Sequence, residues 1–370
     1  FFLLILTLIL IMSCNMTDTK KPLASKWDAL FKNPKQLEQA SKSERVVIKN
    51  ALIKTYNISD ITLANAVFEN NDFVDFVMKR GHYSNLLFKG GSIYDAGFAD
   101  STLINVTFEG VTIEDVDFIS ATLQNVTFKN CKIARARIRN LKKSQVTFIN
   151  TQVLDSEFFD SEVIFKAEHS SFDLAQAQYG TFENMQPGSS IELIDTSLHD
   201  ANVGGTLSSF KAKGGSIIEV GIGDNIKAVV LDDVKLNASL EGNIESVTIQ
   251  NSELESLAIA KNSNDVLIED CKISNILSMI DGKYTSLSIN NCNLNLFEPW
   301  SITANHLVIS NSRFINTTMS DSKVNHLIMN NVVFENAKFD NAIAKDSKIN
   351  NVKLAEGGEF NLSGTNIPLQ

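Results

Sequence analysis

The sequence predicts an all-β protein: one long parallel β-solenoid with four short strands to each coil. Three observations carry that expectation. Large apolar residues recur every five positions without a miss, from Ile48 and Ile53 through Phe68, Phe88, Phe98, Phe108, Phe118 and Phe128 to Ile133 and Ile138. The tetrad Asn-Val-Thr-Phe stands at Asn105 and again at Asn125, and Gln-Val-Thr-Phe follows at Gln145, so like residues return every twenty positions. The chain holds 23 Phe but only 2 Trp and 5 Tyr, as one repeated bulky slot would require. Neither the 3.6-residue period of a helix nor the 2.0-residue period of a strand gives a spacing of five.

Two places before many of the large residues sits a smaller one, as in Ala66, Ala96, Ser101, Val106, Ala121, Cys131 and Ala136. One small and one large inward residue in every five describe a short strand that turns a corner. Four corners close a square in twenty residues, and residues twenty apart stack in adjacent coils. Ala121-Thr122-Leu123, Ala96-Gly97-Phe98, Ala136-Arg137-Ile138 and Ala337-Lys338-Phe339 resemble the A(D/N)LXX unit of the pentapeptide-repeat family. The Asp or Asn expected in the middle of that triplet is mostly missing. The resemblance implies a right-handed quadrilateral β-helix.

In chain order, the first element is an export signal. Phe1 to Met12 is apolar except for Thr7, too short to span a bilayer comfortably and of the right length for a signal-peptide core. Ile11-Met12-Ser13-Cys14 resembles a bacterial lipobox, so residues 1–14 are expected to be a lipoprotein signal with Cys14 the lipidated residue. Residues 15–44 form a polar, Lys-rich tether and then a cap, with one or two short helices around Pro34 covering the first coil. The β-helix is expected over 45–356 as about fifteen coils, roughly 70 Å long at the ~4.8 Å strand spacing. Between about 183 and 286 the spacing slips, and Met185-Gln186-Pro187-Gly188 and Gly221-Ile222-Gly223-Asp224-Asn225 are the expected outgrowths. Residues 357–370 are a polar tail.

The candidate sites are read with the same twenty-residue ruler. Lys129, Lys132, Arg135, Arg137, Arg139, Lys142 and Lys143 form a basic belt with no acid inside it. Stacking places Arg135 between Asp115 and Asp155, Arg137 between Asp117 and Glu157, Lys129 over Glu109 and Lys142 under Glu162, which favours a charge ladder over an anion site. Lys143 falls in a slot filled by Leu123 and Val163 in the neighbouring coils, so a local bulge is expected to turn it outward. Asn65, Asn85, Asn105, Asn125 and Gln145 share a column and predict an amide ladder. His306 and His326, twenty apart, predict a stacked surface pair without enough nearby ligands for a metal. Cys131, Cys271 and Cys292 take the small inward slot and are expected to be buried thiols; parallel Cβ vectors disfavour a Cys271–Cys292 disulfide. Arg135, Arg137, Arg139, His306 and His326 are therefore the candidate interaction residues.

No catalytic motif, metal site or cofactor site stands out. The net charge of −10 disfavours nucleic-acid binding. The expectation is a non-enzymatic lipoprotein of the bacterial cell envelope, a rigid rod held to the membrane by its N-terminal lipid and contacting an envelope protein or glycan. Self-association through a coil end is left open by the thin cover over Leu354. Two alternatives stand: an acidic DNA mimic that binds a topoisomerase, as the resemblance implies for some members, and an envelope glycan-binding or glycan-processing β-helix.

Overall fold

The structure, a computed structural model, describes residues 21–175 and 182–354, with only the backbone at 260 and 261. The expected lipobox with Cys14 and the polar tail lie outside the described residues. Helix α1 (Ser25–Lys32) and helix α2 (Pro34–Ser43) flank Asn33, whose side chain caps α2 by accepting the Gln36 amide at 3.4 Å. Pro34 suits the first helical position because no partner for its missing N–H is needed there. Phe31 and Leu37 are buried, and Phe31 meets Tyr56 edge-on with centroids 5.5 Å apart, so the helix pair covers the open end of the first coil. The Tyr56 hydroxyl donates to Asp28 on α1; burial and that carboxylate push its pKa up to about 12.

Among the described residues, the chain after the helices is parallel sheet wound into about fifteen coils. Phe68, Phe88, Phe108, Phe128 and Phe148 are direct register partners in successive coils. Their rings stack at 4.8–5.1 Å with planes within 19° of parallel. A second column, Phe98 over Phe118 at 5.0 Å, meets the first edge-on, as Phe118 meets Phe128 at 6.1 Å and 84°. Offset stacking along the axis and edge contacts across it are the favoured aromatic geometries.

What turns the corner is a left-handed residue every five positions. Asn50, Thr55, Asp60, Asn65, Asn70, Asp75, Arg80 and Asn85 all have φ between 51° and 63°, and the series continues along the chain. Asn, Asp and Gly tolerate this conformation best, which explains their density at those positions. The Asn or Asp absent from the middle of the triplet is thus present at the corner instead.

The small slot follows the corner and has its own rule. Thr151 Oγ1 donates to Ile149 O at 3.0 Å and accepts the Cys131 amide of the previous coil at 3.3 Å. Ser156, Ser161, Ser252, Ser312 and Ser322 repeat the same double role. Asn71 does it with an amide, accepting Ala51 N–H and donating to Ile48 O, both at 2.9 Å. Where a Tyr fills the large slot, a Gly occupies the small one: a Cβ on Gly81 or Gly282 would lie 2.4 Å or less from the ring of Tyr83 or Tyr284. The tyrosine hydroxyl then reaches a carbonyl itself, at 2.8 Å to Ile58 O and 3.4 Å to Ile259 O.

The slips in the repeat are handled in two ways. Lys143 is left-handed (φ 45°) and exposed, and Ser144 enters the core in its place, paired with Val163 nineteen residues on. The next coil swaps its slots: Val146 pairs with Phe165 and Phe148 with Ala167, so small-x-large becomes large-x-small at similar total volume. An outgrowth does occur at Met185–Gly188. Phe182 stacks on Phe158, 24 residues back, whereas Ser189 bonds the Val163 amide 26 residues back. The outgrowth expected at Gly221–Asn225 is absent. Those residues pair continuously with Ser239–Asn243 at an offset of 18, because a bulge between Ile218 and Val220 shortens the coil. Further register shifts at Leu236/Asn237, Leu254/Ser256, Ala260/Asn262 and Ile273/Ile276 change the coil length by single residues.

Candidate interaction surfaces

The basic belt resolves into ion pairs between coils. Arg135 forks onto Asp115, with Nε 2.8 Å and Nη2 2.9 Å from its two oxygens, and also contacts Glu114. Those hydrogen bonds, to Asp115 first, hold its guanidinium charged well above the usual arginine range. Arg137 forks onto Asp117, and Lys129 reaches Glu109 at 3.0 Å. Two expected pairings differ. Glu157 is the register partner of Arg137 but bonds Arg139, its carboxylate only 5% exposed, because the Arg137 fork is already filled. Lys142 and Glu162 form no ion pair; the bulge at Lys143 moves this strand out of register. The exposed pairs among these contribute ~0–1 kcal/mol each; they engage Lys129 and the arginines, while Lys132, Lys142 and Lys143 are exposed and take part in no ion pair.

The amide column is present from Asn65 to Asn125; Gln145, although in register with Asn125, joins no bond of the ladder. Asn85 donates to Asn65 at 3.2 Å, Asn105 to Asn85 at 3.2 Å and Asn125 to Asn105 at 2.9 Å. Beside it, where Lys143 bulges out and the loop at Gly188 stands off the face, a groove of about 500 Å³ opens. Asn105, Asn125, Gln145, Glu162 and Ile164 line it, and Ile164 is 51% exposed on its floor. The slips in the repeat were the signal for this groove; its depth depends on side-chain placement that periodicity does not give.

His306 and His326 stack face to face, with centroids 4.8 Å apart and planes 17° from parallel. Below them Asp346 Oδ2 lies 3.7 Å from His326 Nδ1, an acidic neighbour that inspection of the flanking residues does not show. Asp346 is twenty residues beyond His326, so the ruler reaches it although linear inspection does not. Among the described residues no group of three or more His, Cys, Asp or Glu side chains could hold a metal ion. One apolar patch had no warning in the periodicity: Trp300, 54% exposed, pairs with Ile280 one coil before.

Asp75, Asp95 and Asp115 form a column of corner carboxylates, each left-handed. Arg135 neutralises the last. Asp95, between two acids, has its pKa raised by partial desolvation, then by its hydrogen bond to Asp75 and repulsion from the column. A raised carboxylate favours folding below its unfolded pKa of ~3.9 and loses that contribution as pH rises through the folded value. Asp95→Asn should therefore raise the melting temperature at pH 7 by about 1 °C, from ~0.2–1 kcal/mol of relieved repulsion. Little change is expected at pH 3. Calorimetry at the two pH values checks this; equal shifts at both would show that charge is not the cause.

The five-residue faces and paired inward slots, wound as a parallel solenoid of about fifteen coils, match the fold of a pentapeptide-repeat β-helix. No protein-family model matches the chain, and no curated protein does. Among solved structures it is similar to HetL, a pentapeptide repeat protein involved in heterocyst differentiation regulation from the cyanobacterium Nostoc sp. strain PCC 7120. That likeness covers 87% of this chain and 97% of HetL at 9% identity and a TM-score of 0.14, too low to bear on function. No helix among the described residues is long and apolar enough to cross a membrane.

Proposed function

We propose that this chain is a non-enzymatic, lipid-tethered scaffold rod of a bacterial cell envelope, anchored at Cys14 and presenting its faces to an envelope protein or glycan. The observation that carries the reading is in the sequence: an apolar run from Phe1 to Met12 ends at Ser13-Cys14, and a short polar stretch separates it from the rod. Helix α1, from Ser25, caps the first coil close behind that stretch in the sequence, so the tether would hold the rod near the bilayer. One continuous core runs from the cap to the last coil, as expected of a rigid spacer. The groove floored by Ile164 and the Ile280–Trp300 patch are the surfaces best suited to a partner. The DNA-mimic alternative draws only on net charge, and the export signal opposes it.

Metabolic labelling with radioactive palmitate tests the anchor. The wild-type chain should take up label and sediment with membranes, and Cys14→Ala should lose both. A wild-type product that is soluble and unlabelled would sink the reading.

A further inference from the structure

Cys271 and Cys292 occupy the same small inward slot in successive coils, between Ser252 before and Ser312 after. The register around them is Lys272 on Asn293. Both thiols are free and buried. Each donates weakly to backbone carbonyls, Cys271 to Glu269 O and Cys292 to Asn290 O, both at 3.1 Å. Those two carbonyls also accept ladder amides, from Asn251 and Asp270 at 3.1 Å, so neither is orphaned if the thiol proton leaves.

The side chains project in parallel from neighbouring strands, so their sulfurs lie about one strand spacing, ~4.8 Å, apart along the rod axis. A disulfide needs ~2.05 Å between sulfurs and ~3.8 Å between Cβ atoms, which would require the two coils to be drawn together. Two metal–thiolate bonds of ~2.3 Å laid end to end span about 4.6 Å. Hence the arrangement matches a two-coordinate linear site. A tetrahedral ion such as zinc would need ligands that are absent from the described residues around the pair.

We propose that Cys271 and Cys292 form a linear two-thiolate site for a soft monovalent metal ion, copper(I) in the cell. Thiolate ligands select such ions over zinc, calcium or magnesium. Binding forms two metal–sulfur bonds and releases the two thiol protons, with no change of oxidation state. Entry is through a shallow groove of about 550 Å³ at this corner, which both cysteines line together with Asp270, Lys272, Asn293 and Arg313. Neither residue was singled out as a ligand by spacing along the chain; only their stacking brings them together.

Silver(I), which shares the preference for linear thiolates and is not redox active, is the probe. Titration of the full chain, followed by the thiolate-to-metal charge-transfer band and by proton release, should show one ion bound and two protons released. Copper(I) delivered anaerobically from a chelator should compete at the same site. Cys271→Ser and Cys292→Ser should each lose that one-to-one binding while keeping the wild-type melting temperature, since Ser fills this slot in the adjacent coils. Cys131→Ser should retain it. Binding that survives either serine variant overturns the proposal. So does the loss of two thiols to a Cys271–Cys292 disulfide under oxidised glutathione, since the coils would then close more readily than the geometry allows.

Discussion

Phe108→Ala should cost about 3–5 kcal/mol, the range for a fully buried aromatic truncated to Ala. Phe108 sits between Phe88 and Phe128 at 4.8 and 4.9 Å and meets Phe98 edge-on at 6.3 Å, so one truncation removes three ring contacts. The stacked coils above and below are held by their own backbone ladders and have no freedom to collapse into the gap. In a one-dimensional array the loss falls on one interface between neighbours, and stability is close to a sum of such terms. Chemical denaturation should therefore lose its single transition, the coils before Phe108 melting ahead of those after it. A loss below ~1 kcal/mol with one transition retained would show that the column does not carry the cohesion of this half.

Gly91→Ala is the second large effect expected. Gly91 has φ 81°, and a Cβ built on it would lie 1.9 Å from the Asn71 carbonyl oxygen. That oxygen is backbone in the neighbouring coil and cannot turn away. The adjoining Asn71 side chain is also engaged, since its amide bonds Ala51 N–H and Ile48 O. Backbone strain and a broken corner together should cost at least ~3 kcal/mol. The control is Gly110→Ala, also left-handed at φ 64° but with nothing within 4 Å of the added methyl. It should cost only about 1 kcal/mol. Denaturant midpoints of the two variants measured side by side check the difference; equal losses would assign the effect to φ alone.

The period of five made the coil legible from residues alone, because inward slots must repeat wherever a continuous core is buried. It also predicted that Lys143 would leave its slot, since no neighbouring coil offers a charge to an inward ammonium. Three features were not legible. Val146-x-Phe148 giving way to Phe165-x-Ala167 conserves volume, so the pattern of apolar positions does not show which slot is large. Glu157 chose Arg139 over its register partner Arg137, because competition for a guanidinium fork is decided by side-chain reach and not by spacing. The shortened coil at Gly221–Asn225 looked like a loop because Gly and Asp signal turns, whereas in a solenoid the same residues serve a bulge or a left-handed corner. Of the candidate residues, the arginines pair with acids of neighbouring coils. The histidines gained Asp346 as a neighbour.

The ladder bonds that join one coil to the next all run along the rod. Tension applied between the two ends of the rod would load those bonds head-on, one coil at a time, instead of sharing the load in shear. Each coil that came away would turn about 4.8 Å of rod into roughly 70 Å of extended chain. Such a molecule is stiff against bending and compression, yet under a pull it pays out slack in equal steps.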